Sequence, residues 1–180
     1  MAKNYTALKD FDPKGSHTYI IDTNMWLYLF SPISSAEIKI QESIGRFIQN
    51  CKSVGANVIT TSFIVAEYFH ASLRNEFDDW VVAQGVSTKL TIKKHYRPTD
   101  EYADWIEFIK STIKNIYQIA LPRDDNFEKI DRINILDNSI HAEYFDNHTL
   151  ELANDNGWII VSNDSDLLNH PDRKSLLLIP

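Results

Sequence analysis

Tyr19-Ile20-Ile21-Asp22-Thr23-Asn24 is an apolar run that stops at a carboxylate followed by two polar residues. Apolar residues in succession, without polar alternation, mark a strand covered on both faces, as in a parallel sheet. Its first charged residue then stands at the sheet's carboxyl edge. The chain repeats the design at Trp158-Ile159-Ile160-Val161-Ser162-Asn163-Asp164-Ser165-Asp166. Open α/β sheets bind ligands along that edge. Two buried strands delivering acids to one edge point to an anionic pocket that holds divalent cations.

Outward from these two runs, the remaining elements follow from period and punctuation. Residues 1 to 16 are polar, contain Pro13 and Gly15, and read as a lead-in to a strand near Thr18 to Ile21. Ser34 and Glu37 have capping-box spacing before a helix carrying Ile38, Ile44, Phe47, Ile48 and Cys51, with Gly55 as its stop. Asn57 to Thr61 is a second strand running into Ser62, an expected N-cap for a helix with Ile64, Val65, Glu67 and Phe69. Helix is expected again over 72 to 84. Residues 87 to 98 are basic and end at Pro98, and Thr99 caps a helix with Tyr102, Trp105, Ile106, Ile109, Ile113 and Ile116 on one face. A short strand is expected near Ile116 to Leu121, then helices near 125 to 132 and 137 to 155, with Asn156-Gly157 closing the last. Strands at 158 to 162 and Ser175 to Ile179 follow. The order argues one α/β domain over residues 1 to 180 with a mainly parallel, five-stranded sheet.

At 180 residues the chain is long enough to bury a substantial core without a linker dividing it. Cys51 is the only cysteine, so neither a disulfide framework nor a cysteine-based zinc site can be built from it. Met1-Ala2-Lys3-Asn4-Tyr5-Thr6 lacks the apolar core of a signal peptide, and no apolar run reaches membrane-span length; a cytoplasmic protein without membrane contact is expected. A formal charge of −7 argues against a nonspecific polyanion binder. It leaves room for a nuclease, because bound cations offset a carboxylate cluster.

Asp22 and Asp164 are the leading candidates. Either one alone is equally well explained as a cap of the following turn, and the similar placement of the two favours function. Glu67 stands in Phe63-Ile64-Val65-Ala66-Glu67-Tyr68-Phe69, one helical turn past a strand end. It faces either solvent or a pocket that compensates its charge. Asp146 shares its neighbourhood with Asp137, Glu143 and Glu151, and composition alone does not separate them. Thr23, Asn24, Ser162 and Asn163 either orient the acids and touch a phosphate or are ordinary turn residues.

Together, Asp22-Thr23-Asn24 after a buried strand, Ser62 to Glu67 on the next helix, Asp146 before a helix, and Ser162 to Asp166 after a later strand resemble the four motif blocks of a PIN-domain nuclease. The resemblance runs from about residue 18 to the carboxyl terminus. It implies a Rossmann-like three-layer α/β/α sandwich and singles Asp146 out of its crowd. RNA as substrate follows from the resemblance, which also admits a VapC-type toxin role with an antitoxin partner, and a homodimer formed through the aromatic stretch Trp26 to Phe30, for which a simple core role is an equal alternative. The sequence departs from the pattern where Asn147 and His148 follow the third acid in place of small apolar residues, and where Ser162 replaces threonine. The interval from Glu67 to Asp146 is long, the extra length falling in a helical and basic elaboration around 72 to 116.

Hard oxygen ligands without a cysteine or histidine cluster suit Mg²⁺ or Mn²⁺, and such ions suit phosphodiester hydrolysis. Asp22, Asp146 and Asp164 are the expected ligands, Glu67 orients the nucleophile or coordinates through water, and Asp166 is a weaker ligand. His141, His148 and His170 are either neighbours of the acidic edge or packing residues. In Lys89 to Arg97, the residues Lys93, Lys94 and Arg97 could track a nucleic-acid backbone with Tyr96 stacking on a base. The bland alternative is a solvated loop. Two rivals remain: a catalytically inactive RNA-binding or regulatory module of the same fold, and a different acidic-site α/β phosphotransfer domain, for which no convincing lysine partner is found.

Overall fold

Strand β2 (Thr18–Ile21) is the strand that both halves of the sheet share, and Tyr19, Ile20 and Ile21 are fully buried. A strand covered on both faces needs helices above and below it. The computed structural model describes residues 5–30, 38–85 and 89–180. On one side β2 pairs in parallel with β3 (Asn57–Thr61), which pairs with β4 (Leu121–Arg123); on the other it pairs with β5 (Ile159–Val161). Beyond β5 lie β6 (Leu177–Ile179) and β1 (Tyr5–Ala7), so the order is β1-β6-β5-β2-β3-β4, parallel throughout.

The sheet thus has six strands among the described residues where the sequence indicates five. The added strand, β1, falls in the expected lead-in. It is three residues long and pairs on one side only, and its side chains stay exposed or half-buried, so it needs no apolar run. The central strands match expectation: β2 and β3 occupy the expected residues, because buried parallel strands leave the strongest apolar signal.

Between β2 and β3 run α1 (Thr23–Phe30) and α2 (Ile38–Ser53), and between β3 and β4 run α3 (Ser62–Gln84) and α4 (Asp100–Ile119). After β4 come α5 (Arg132–Asp137) and α6 (Tyr144–Asn156), and α7 (Ser165–Asn169) joins β5 to β6. Because β2, β3 and β4 step one way across the sheet and β5 and β6 the other, right-handed crossovers put α1 to α4 on one face and α5 to α7 on the opposite face. The packing agrees, with α1 on α2 and α3, α3 on α4, and α5 and α7 on α6. The result is a Rossmann-like α/β/α sandwich.

Several boundaries move. The capping box at Ser34 and Glu37 lies outside the described residues. Thr61, not Ser62, caps α3, its hydroxyl accepting from the Ile64 N–H, and one helix covers the whole of 62–84. Thr99 caps α4 as expected. Residues 116–119 remain helical because Ile116 is needed on the apolar face of α4, and the strand starts at Leu121. The helix expected at 125 to 132 is instead turns leading to Asp131, which caps α5 through the Ile133 and Asn134 N–H groups. Between α5 and α6 the helix expected from 137 is interrupted at 141–143. Gly55 and Gly157 follow α2 and α6 with φ of 69° and 66°.

Helices α3 and α4 form a long antiparallel hairpin, with the Trp105 indole donating to the Ser72 carbonyl at 3.1 Å. Its far end holds Tyr96, fully buried among Phe77, Trp80 and Tyr102 with ring centroids 5.8, 5.1 and 5.4 Å away. The lead-in before β2 is pinned at Gly15, where a Cβ would lie 2.4 Å from the Val54 carbonyl oxygen. Gly15→Ala should therefore lower unfolding stability by about 1–3 kcal/mol. Gly45→Ala, in the middle of α2 with open space around it, should raise stability by up to about 1 kcal/mol. Urea unfolding of the two variants beside the parent measures both signs.

Candidate active site

The direction of sheet growth reverses between β2 and β5, and at such a switch point the helices leave on opposite faces and open a crevice at the carboxyl ends of the strands. Asp22 ends β2 there, 6 % exposed. Across the crevice the Ser162 hydroxyl donates to Asp22 Oδ2 at 2.5 Å, and the Thr23 N–H donates to Asp22 Oδ1 at 2.7 Å. The Asp22 N–H itself continues the ladder to the Val161 carbonyl. Both motif strands therefore hold one carboxylate between them.

Glu67 reaches the same edge from the second turn of α3, where it is half-buried and accepts a 2.6 Å hydrogen bond from the Thr23 hydroxyl. Thr23 thus contributes its amide to one acid and its hydroxyl to another. Asp146 arrives from the opposite helical layer, half-buried in the first turn of α6. Asp164 follows Asn163 after β5 and caps α7, Oδ1 accepting from the Asp166 N–H at 2.6 Å and from the Leu167 N–H. Its capping role is real, and its charge still acts on Asp22, Glu67 and Asp146.

Mutual repulsion shows in the proton affinities. Burial pushes the Asp146 carboxyl up to about 8, helped by the charges of Asp22, Asp164, Glu67 and Glu143. Burial likewise lifts Asp22 to about 6 against the lowering hydrogen bond from Ser162, with Glu67 and Asp164 adding to the rise. Glu67 is raised too, chiefly by burial.

Of the residues expected here, Asp22, Glu67, Asp146, Asp164, Thr23 and Ser162 come together. Asp166 is exposed and is not among the charges acting on Asp22 or Asp146. Asn24 lies half-buried in the first turn of α1, and exposed Asn163 donates to the Tyr28 hydroxyl at 3.4 Å rather than to an acid. Lys93, Lys94 and Arg97 are exposed near Trp80, which lies about 27 Å along α3 from Ser62 at 1.5 Å per residue. Tyr96, being fully buried, has no ring face to offer a base. His148 is buried against Phe63, and His170 is buried beside Asn147, while His141 is exposed beside His170.

Asn147 and His148 are explained by local structure. The Asn147 amide donates to the Ala142 carbonyl at 2.9 Å and its oxygen meets His170 Nε2 at 2.9 Å, which fixes the start of α6 and so the position of Asp146. Two further residues were not legible. Glu143, at the N-cap of α6, adds its charge to Asp146 and Glu67. Asp125, in the loop after β4, accepts from the Ser62 hydroxyl and the Phe63 N–H and ties that loop to the start of α3. An acid in a polar loop gives no periodic signal.

The donor set is hard carboxylate oxygen whose repulsion a divalent cation would relieve, and in this the residues fit Mg²⁺ or Mn²⁺. Both oxygens of Asp22 and one oxygen each of Glu67 and Asp164 accept from hydroxyl or amide donors, and among the described residues no group of three or more His, Cys, Asp or Glu is arranged to hold an ion. Each engaged oxygen of Asp22 and Glu67 accepts a single hydrogen bond and keeps a lone pair that an ion could take.

The raised carboxyls also couple folding to pH. In the unfolded chain an aspartate loses its proton near pH 4. Folded, Asp22 and Asp146 keep theirs to about 6 and about 8, so the native state binds more protons across that interval. Their contribution is fully favourable below about pH 4 and is lost as pH rises through 6 to 8. The melting temperature without added metal should fall between pH 5 and pH 8.5, and Asp146→Asn should flatten that fall and melt above the parent at pH 8.5.

No known protein family matches the chain, and no curated protein matches it in sequence.

Proposed function

We propose that the edge at the β2/β5 switch point is the active site of a PIN-like, Mg²⁺- or Mn²⁺-dependent endoribonuclease. The observation that carries the reading is the convergence of Asp22, Glu67, Asp146 and Asp164, from both helical layers, on one crevice where burial and then neighbouring acidic charge raise the proton affinity of Asp22, Glu67 and Asp146. Asp22, Asp146 and Asp164 would hold the ion, with Asp166 left outside. A divalent ion bound there would supply an activated water and neutralise phosphate oxygens.

The chain's own residues prepare the rest. Ser162 and the Thr23 amide fix the rotamer of Asp22, and the Thr23 hydroxyl fixes Glu67. Glu67, its proton affinity raised chiefly by burial, is the carboxylate left to orient an attacking water and take its proton. Water adds to phosphorus, the bond to the leaving ribose oxygen breaks, and the attacking water's proton passes to a carboxylate.

A second reading, a binding module that hydrolyses nothing, is favoured by the lack of a preassembled ion-holding group among the described residues. The toxin role, an antitoxin and a homodimer rest on the sequence resemblance alone. Among the described residues no helix is long and apolar enough to cross a membrane.

Purified protein incubated with RNA and DNA should cut RNA with Mn²⁺ or Mg²⁺ and not with EDTA. Asp22→Asn and Asp164→Asn should each slow cleavage on the order of 100-fold. Equal cleavage in EDTA would remove the metal mechanism, and an inert protein that still binds RNA would establish the binding module.

A further inference from the structure

Away from the acids, the amino ends of β2 and β5 carry a second recess. Thr18 opens β2 and Trp158 immediately precedes β5, and the register that pairs Tyr19 with Ile159 sets these two side by side. Trp158 rests half-buried on the small apolar cluster of Ile130, Ile135 and Leu152, which places the recess on the side of α5 and α6. Strand β4 is the outer strand, packed by α4 and exposed at all three residues. The chain leaving it turns at Asn126, whose φ of 48° is a left-handed conformation that asparagine tolerates. Arg123, Asp124 and Asn126 from this turn, Asn156 from the last position of α6, and Thr18 and Trp158 line a pocket of about 320 Å³. Thr18 is four residues from Asp22, about 13 Å along the strand, so the pocket is separate from the carboxylate crevice.

The lining has unused hydrogen-bonding capacity. Among the described residues no hydrogen bond or ion pair engages the side chains of Thr18, Arg123, Asp124, Asn126 or Trp158, and Asn156 commits only its amide nitrogen, which donates to the Leu152 carbonyl at 2.9 Å. The charges decide what chemistry fits. A phosphate would suit the Arg123 guanidinium but would also meet the Asp124 carboxylate and the negative end of the α6 dipole. A simple cation would suit those two and be repelled by Arg123. A ligand that carries both signs on neighbouring atoms meets each group with its opposite. Size narrows the choice further: at about 30 Å³ per water molecule the pocket takes about ten non-hydrogen atoms, the size of an amino acid and about half that of a nucleotide.

We propose that this pocket binds a free α-amino acid with a polar side chain. The carboxylate of the ligand is taken by the planar Arg123 guanidinium, which suits such a group in two parallel hydrogen bonds, and its ammonium is held by Asp124 beside the Trp158 indole. Thr18, Asn126 and Asn156 together offer donors and acceptors to the side chain, and an apolar side chain would leave those groups covered and unpaired. Arg123, Asp124 and Asn156 are exposed, so the ligand displaces water at modest gain. A dissociation constant on the order of 100 μM is expected for a ligand of this size. The binding stands whether or not the carboxyl edge of the sheet cuts RNA.

Isothermal titration calorimetry of the full chain with L-glutamine, L-asparagine, L-histidine and L-leucine tests the proposal, with inorganic phosphate and AMP as rival ligands. At least one of the three polar amino acids should bind, about 10-fold or more tightly than leucine, phosphate or AMP. Each that binds is then compared with its decarboxylated amine and its deaminated acid, which for glutamine are 4-aminobutanamide and glutaramic acid. Loss of either charge should weaken binding about 10-fold or more. Arg123→Gln and Asp124→Asn should do the same, with melting curves showing that both variants fold; the analogue series on the parent protein makes the same point without any substitution. Absence of binding by all three polar amino acids would overturn the proposal. So would a one-charge analogue that binds as tightly as its amino acid, affinity unchanged in both variants, or tighter binding of leucine, phosphate or AMP.

Discussion

The hydrogen bond from Ser162 to Asp22 joins the ends of two strands whose pairing organises the whole sheet. Strand β2 has to satisfy β3 on one side and β5 on the other while both faces are covered by helices. Nothing charged can be carried along its length under those conditions, so its charge appears where the strand ends. The same restriction applies to β5. The acids thus meet because the only place where two doubly buried neighbours can present polar groups is the rim they share, and the reversal of sheet growth keeps helices from closing over it.

Crowding the carboxylates has a cost that the surrounding hydrogen bonds offset only in part. Ser162, Thr23 and the Thr23 amide supply donors to Asp22 and Glu67, but Asp146 rises furthest, up to about 8, with four acidic neighbours acting on it. Polar networks in protein interiors are ordinarily completed. In the metal-dependent reading a divalent cation would supply the positive charge that these donors do not.

What the sequence disclosed depended on burial. Tyr19 to Ile21 and Asn57 to Thr61 were legible as strands because continuous apolar residues have no other use in a short segment, and Thr99 and Gly157 were legible as helix ends because the cap chemistry is local. Tyr5 to Ala7 was not, since an edge strand is held by its backbone and leaves its side chains free to be polar. In the site, Asp22 and Asp164 could be found from strand ends, whereas Glu143 and Asp125 belong to it through folding that brings distant loops to one rim. Lys93, Lys94 and Arg97 could be read as a backbone-tracking patch or a solvated loop, because charge density along a sequence carries no direction; they are exposed, and the α3–α4 hairpin takes them away from the acids.

The separation of 140 positions between Asp22 and Ser162 sets an order of assembly. The α3–α4 hairpin closes on neighbours in the chain and can form early, while pairing β2 with β5 must wait for one of the longest loops in the molecule to close. On a ribosome, Ser162, the partner of Asp22, is made 140 residues after it. The carboxylate crevice is therefore among the last features to exist, and a chain interrupted before β5 has a first acid with nothing across from it.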